Sequence, residues 1–184
     1  MAHARIVINE IHYNPPGGDD LTEFIEFWNV GVTSVSMAGW YMQDGVDYVF
    51  PAGARIAPGG FLLLVKDRAA FAFEYPGVTN VYGPFANGTG LNNTGERIAL
   101  ADNTGVIVSE VTYADRAPWP PEADGGGSSL ELRHPAAPSG AAWNWAASPL
   151  YGGSPGATNT AFAGMPGIID LGPSPAYPAG GQPV

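Results

Sequence analysis

Glu23-Phe24-Ile25-Glu26-Phe27-Trp28-Asn29 is the stretch on which the fold turns. Strict alternation puts Ile25 and Phe27 on one side of an extended strand and Phe24, Glu26 and Trp28 on the other, with the glutamate marking the wetter side. Similar short runs rich in β-branched and aromatic residues recur on either side of it. They cover Arg5 to Tyr13, Trp40 to Asp44, Tyr48 to Phe50, Phe61 to Lys66, Arg97 to Asp102 and Val106 to Tyr113, which makes seven candidate strands. The same period pairs Leu62 with Leu64, Ile98 with Leu100 and Val106 with Val108. These pairs are predicted, with Ile25 and Phe27, to line the space between two facing sheets. Trp40 is expected to pack there against Phe50 and Leu64.

The connections agree with that reading. Asp44-Gly45, Asn87-Gly88, Thr94-Gly95 and Asn103-Thr104-Gly105 supply residues that tolerate positive φ, so Ala101 to Val106 reads as a hairpin. Helix evidence is confined to Asp67 to Tyr75, two turns with Asp67 as N-cap, closed by Pro76. The expectation is therefore an all-β sandwich with one short helix, spanning residues 5–159 after a four-residue extension, 1–4. From residue 160 to 184 the composition shifts to Pro and Gly, which reads as a tail or linker. Its one apolar stretch, Gly167-Ile168-Ile169-Asp170-Leu171-Gly172, needs a sheet edge to pair with, making Ile168, Ile169 and Leu171 candidate assembly residues.

Composition excludes several functions. Seventeen acidic against seven basic residues give a net charge of −10, a field that repels phosphate backbones and anionic lipids. Nucleic acid is thus not an expected partner. Cysteine is absent, which removes disulfides, thiol nucleophiles and Cys-ligated metals. No run reaches the length of a membrane helix, so membrane insertion is not expected. No apolar signal segment precedes the first strand, so the chain reads either as cytoplasmic or as a piece of a larger exported protein.

Few residues invite chemistry. The three histidines, His3, His12 and His134, lack metal-ligand spacing. Asp19, Asp20 and Glu23 crowd a glycine-rich loop as candidate oxygen ligands for a structural Ca²⁺, although a solvated loop is the simpler account of them. Glu10 and Glu26 can fall on neighbouring strands, as glycosidase carboxylates must, but paired acids on a strand face are more often solvated or matched with Arg5, Arg97 or Arg133. Strand alternation or loop position is expected to expose several of Trp28, Tyr41, Trp119, Trp143 and Trp145. Trp28 and Trp119 are the candidate platforms for stacking on a glycan.

The ordered series of motifs resembles the lamin tail domain family. Val7-Ile8-Asn9-Glu10-Ile11 with the stretch at 23–29 is similar to its opening, and Gly39-Trp40, Phe50-Pro51 and Pro58-Gly59-Gly60 to its centre. Leu91-Asn92-Asn93-Thr94-Gly95-Glu96, Gly125-Gly126-Gly127-Ser128-Ser129-Leu130-Glu131-Leu132 and Gly153-Ser154-Pro155-Gly156-Ala157-Thr158-Asn159 resemble the bacterial branch in particular. The resemblance implies an immunoglobulin-like sandwich with no catalytic residues and no cofactor of its own, exported and attached to other modules. It points to an extracellular or cell-surface module that associates with protein partners or with itself. The alternative is a carbohydrate-binding accessory to a larger exported hydrolase.

Overall fold

The alternating stretch becomes strand β2 (Phe24–Asn29), near the middle of a six-stranded sheet. The structure is a computed structural model and describes residues 5–18 and 20–162. Across the large sheet the order runs β11 (Trp145–Ala147), β10 (Leu130–Leu132), β1 (Ile6–His12), β2, β6 (Phe61–Val65) and β7 (Val81–Tyr82). Among the described strands only β6 and β7 pair in parallel. A second sheet holds β4 (Tyr41–Asp44), β8 (Arg97–Ala101) and β9 (Ile107–Thr112), and a small ribbon joins β3 (Val35–Ser36) to β5 (Arg55–Ile56).

Between the sheets lies the apolar slab that the alternation predicts. Ile25, Phe27, Leu62, Leu64, Ile98 and Leu100 are all fully buried. Phe50 meets Phe27 edge-on at 5.9 Å, and Trp40 is half-buried against the same cluster. Val106 and Val108 depart from expectation, for Val106 is 61% exposed and Val108 only partly covered. A bulge facing Leu100 and Ala101 inserts one residue into β9 and shifts its phase, so Ser109 and Val111 point inward instead.

Tyr48 to Phe50 is not a strand, although it follows β4 closely. Tyr48 O accepts from the N–H of Met42, and the N–H of Phe50 donates to Trp40 O. The helix α1 (Arg68–Glu74) forms as predicted, with the Asp67 carboxylate accepting from the N–H groups of Ala69 and Ala70 at 2.8 Å each. β3, β5, β7, β10 and β11 had no counterpart among the seven candidate runs. Each is two or three residues long, too short for alternation to register.

The largest correction concerns the wetter side of β2. Phe24 and Glu26 are both fully buried. Helix α1 carries Phe71 and Tyr75 onto Phe24, at 5.8 and 6.0 Å, while residues 153–161 lie over Glu26. The large sheet is therefore covered on both faces at its centre. The folded body also runs three residues past the expected boundary at 159: Thr160 and Ala161 bond to Glu131, and Phe162 packs edge-on against Trp28 at 5.5 Å.

Candidate functional site

The register of three central strands sets three glutamates in one row. Glu10 on β1 lies opposite Glu131 on β10 and opposite Glu26 on β2. All three are buried. Like charges directly opposite one another and out of water are unfavourable unless donors compensate them. The closing segment 153–161 brings those donors. Glu10 Oε1 accepts from the Ser154 N–H at 2.8 Å and from Ser129 Oγ at 2.6 Å. Glu26 accepts from the Gly156 N–H at 2.5 Å and from Asn9 Nδ2 at 2.7 Å. Glu131 accepts from Ser154 Oγ, Thr160 Oγ1 and the Ala161 N–H at 2.7 to 2.9 Å. Asn159 completes the clasp by donating to the carbonyl oxygens of Asn9 and Leu132.

Burial pushes Glu10 up to about 8, with Glu131 adding to the rise and the Ser129 and Ser154 donors opposing it. Burial, and then the neighbouring Glu10, raises Glu26 well above the usual carboxylate range. The expectation that paired acids on this face are solvated or matched with arginine does not hold. Arg97 pairs with Asp44 and Glu110, while Arg5 and Arg133 donate to the backbone carbonyls of Pro135 and Trp145. Glu10 and Glu26 do fall on neighbouring strands, but their oxygens already accept from the chain's own groups. The row acts as a clasp on the closing segment.

Of the calcium candidates, Asp19 lies outside the described residues. Asp20 and Glu23 are brought together by a cation the chain supplies itself, because Lys66 Nζ contacts Asp20 and lies 3.4 Å from Glu23 Oε1. Glu23 Oε2 accepts from the Leu91 N–H at 2.8 Å. Burial lifts Glu23 to about 7, against the pull of Leu91 and Lys66. Among the described residues no group of three or more His, Asp or Glu side chains is placed to hold a metal ion.

The aromatic candidates divide. Trp28 is half-buried, stacked on Phe61 at 6.0 Å and covered edge-on by Phe162. Trp119, expected to be open on its loop, is 7% exposed and tilts against buried Trp145 at 6.1 Å. Trp143 alone of the five is largely exposed, at 63%. Trp119→Ala is accordingly expected to cost about 3–5 kcal/mol in urea unfolding, as removal of a core aromatic does. A loss below roughly 1 kcal/mol would show instead that the ring is dispensable to packing. Ile168, Ile169 and Leu171 lie outside the described residues.

Glu131, Asn9, Ser154 and Asn159 were not picked out as site residues from sequence. The available signal was an Asn-Glu pair inside the apolar run Ile6 to Ile11 and a lone Glu between Leu130 and Leu132. Polar residues within such strands need partners when buried.

The two facing sheets define an immunoglobulin-like β-sandwich. The lamin tail domain model matches residues 1–115. The chain belongs to the lamin tail domain family. That family is a non-enzymatic immunoglobulin-like domain, typically a protein-interaction module. β10, Glu131 and the closing segment lie beyond the matched residues. No curated protein matches the chain.

Proposed function

We propose that this chain is a non-catalytic interaction module, working outside the cell or at its surface, that joins copies of itself or attaches to protein partners. One observation carries the reading. The buried carboxylates are committed to the domain's own closing segment, whereas β7 ends the large sheet with no strand beside it among the described residues. A sheet edge is a ready template for a strand from another chain. Exposed apolar groups such as Phe73, at 88%, and Tyr151, at 72%, add contact area outside the core. The glycan alternative finds less support, since Trp119 is buried and Trp28 is engaged by two rings.

In this reading the apolar stretch around Ile168, Ile169 and Leu171 supplies the strand. No helix among the described residues is long and apolar enough to cross a membrane. The net charge of −10 further favours protein over nucleic acid as the partner. Light scattering of the full chain over a concentration series should give a mass above the 19.1 kDa of one copy. Deleting residues 163–184 should return it to that of one copy. The deletion starts after Phe162 because Thr160, Ala161 and Phe162 belong to the folded body. An unchanged mass after deletion would rule out the tail as the joining element.

A further inference from the structure

We infer that the free edge of β7 receives residues 167–172 from a second copy of the chain, with Asp170 set against Arg55 or Arg68 according to the flank it faces. This rests on the self-association reading above and names its surface. Three observations converge on it.

The first is the shape of the edge. Residues 78–80 are flanked on both sides by depressions of about 530 and 610 Å³. Tyr48, Tyr82 and Arg68 line one, and Phe61, Pro155 and Arg55 the other. An added strand would find a mixed lining of polar and apolar side chains on each flank and main-chain groups alongside.

The second is charge. Of the seven basic residues, Lys66, Arg97 and Arg116 pair with carboxylates, and Arg5 and Arg133 donate to backbone carbonyls. Among the described residues Arg55 and Arg68 alone have no such partner, and both are exposed, one on each flank of β7. In a chain of net charge −10 that is an unusual place to leave both. Alternation puts Ile169 and Leu171 on one face of an incoming strand and Ile168 and Asp170 on the other. Whichever face turns to which flank, Asp170 meets a guanidinium.

The third is the point at which the chain leaves the folded body. Phe162 rests on Trp28, which stacks on Phe61, a residue lining the groove. Beyond Phe162 five residues, 163–167, precede Ile168. Fully extended, the six steps from Phe162 to Ile168 reach about 20 Å. The position beside β7 lies three strand spacings from β2, about 14 Å away, before any detour over the rim at Pro155 and Val78. A tether with so little slack leaves a short hinge, and short hinges invite exchange between copies. Because exit and acceptor share one side, a two-fold pair makes both contacts at once and closes.

The test is light scattering and dilution of the full chain with charge exchanges. Asp170→Lys, and separately the pair Arg55→Asp with Arg68→Asp, should each raise the dimer dissociation constant tenfold or more. Combining all three should restore it. If the arginine exchanges leave the dimer intact while deletion of 163–184 abolishes it, the tail docks elsewhere and this inference falls, though self-association stands. If the dimer survives the deletion too, the tail plays no part in it. A monomer at every concentration overturns the second copy as occupant, and the self-association reading with it. In that case tail-dependent slowing of amide exchange at residues 78–83 would assign the edge to the same molecule's tail.

Discussion

Raising the pH from 5 to 9 destabilises this domain by on the order of 4 kcal/mol, a fall in Tm of roughly 10 °C. The cause is the glutamate row. Above its ordinary value of 4.5, Glu10 in the unfolded chain releases a proton that folded Glu10 keeps until about pH 8. The stability tied to that proton is complete below 4.5, declines across the interval and is gone above 8. Glu26 acts in the same direction, and Glu23, raised to about 7, adds to it. His12 opposes them over part of the range. Burial lowers it from 6.5 to about 4, with the backbone of Gly152 pulling it back up, so its contribution is present above 6.5 and lost as the pH falls through 4. One such group against three acids leaves the net slope downward from about pH 5. The raised tyrosines Tyr13, Tyr75 and Tyr113 act only above pH 10. Glu10→Gln keeps the shape of the side chain and removes its titration, and should flatten the profile. Calorimetry that gives wild type and Glu10→Gln the same slope would remove Glu10 as its source.

Gly153→Ala is expected to cost about 4 kcal/mol, since it strains the backbone and breaks into a buried polar network. Gly153 has φ +86°, and a Cβ there would fall 1.9 Å from Glu10 Oε1 and 2.5 Å from Ser129 Oγ. Glu10 has nowhere to withdraw, because Glu26 and Glu131 occupy the row on either side. The closing segment should lift, and limited proteolysis should then cut within residues 153–162 before the sandwich itself is attacked. Gly140→Ala is the control, with nothing within 4 Å of the added methyl. Equal unfolding midpoints for the two variants would mean that the segment holds without its contact to Glu10.

Alternation revealed most of the inner face, because an apolar slab between two sheets obliges every second residue to be apolar. Ile25, Phe27, Leu62, Leu64, Ile98 and Leu100 follow that rule without exception. It failed where chain geometry slips the phase, at the β9 bulge, and on the outer face of β2. There Glu26 looks like a solvated residue, and only the sheet order and the returning segment make it a buried one. Lys66 illustrates the same limit. In sequence it is one lysine among few basic residues, whereas in space it is the cation that Asp20 and Glu23 share.

By itself the sequence determined the class of fold, the helix with its Asp67 cap, the hairpin at 101–106 and the acidic balance of the chain. These are local or summed properties, readable from neighbours and totals. Tertiary structure alone decided that Glu10, Glu26 and Glu131 stand in a row beneath residues 153–161, and that β7 ends its sheet between two arginines without carboxylate partners among the described residues. Strand order and register bring together residues as much as 150 positions apart, as with Asn9 and Asn159, and no local pattern encodes that pairing.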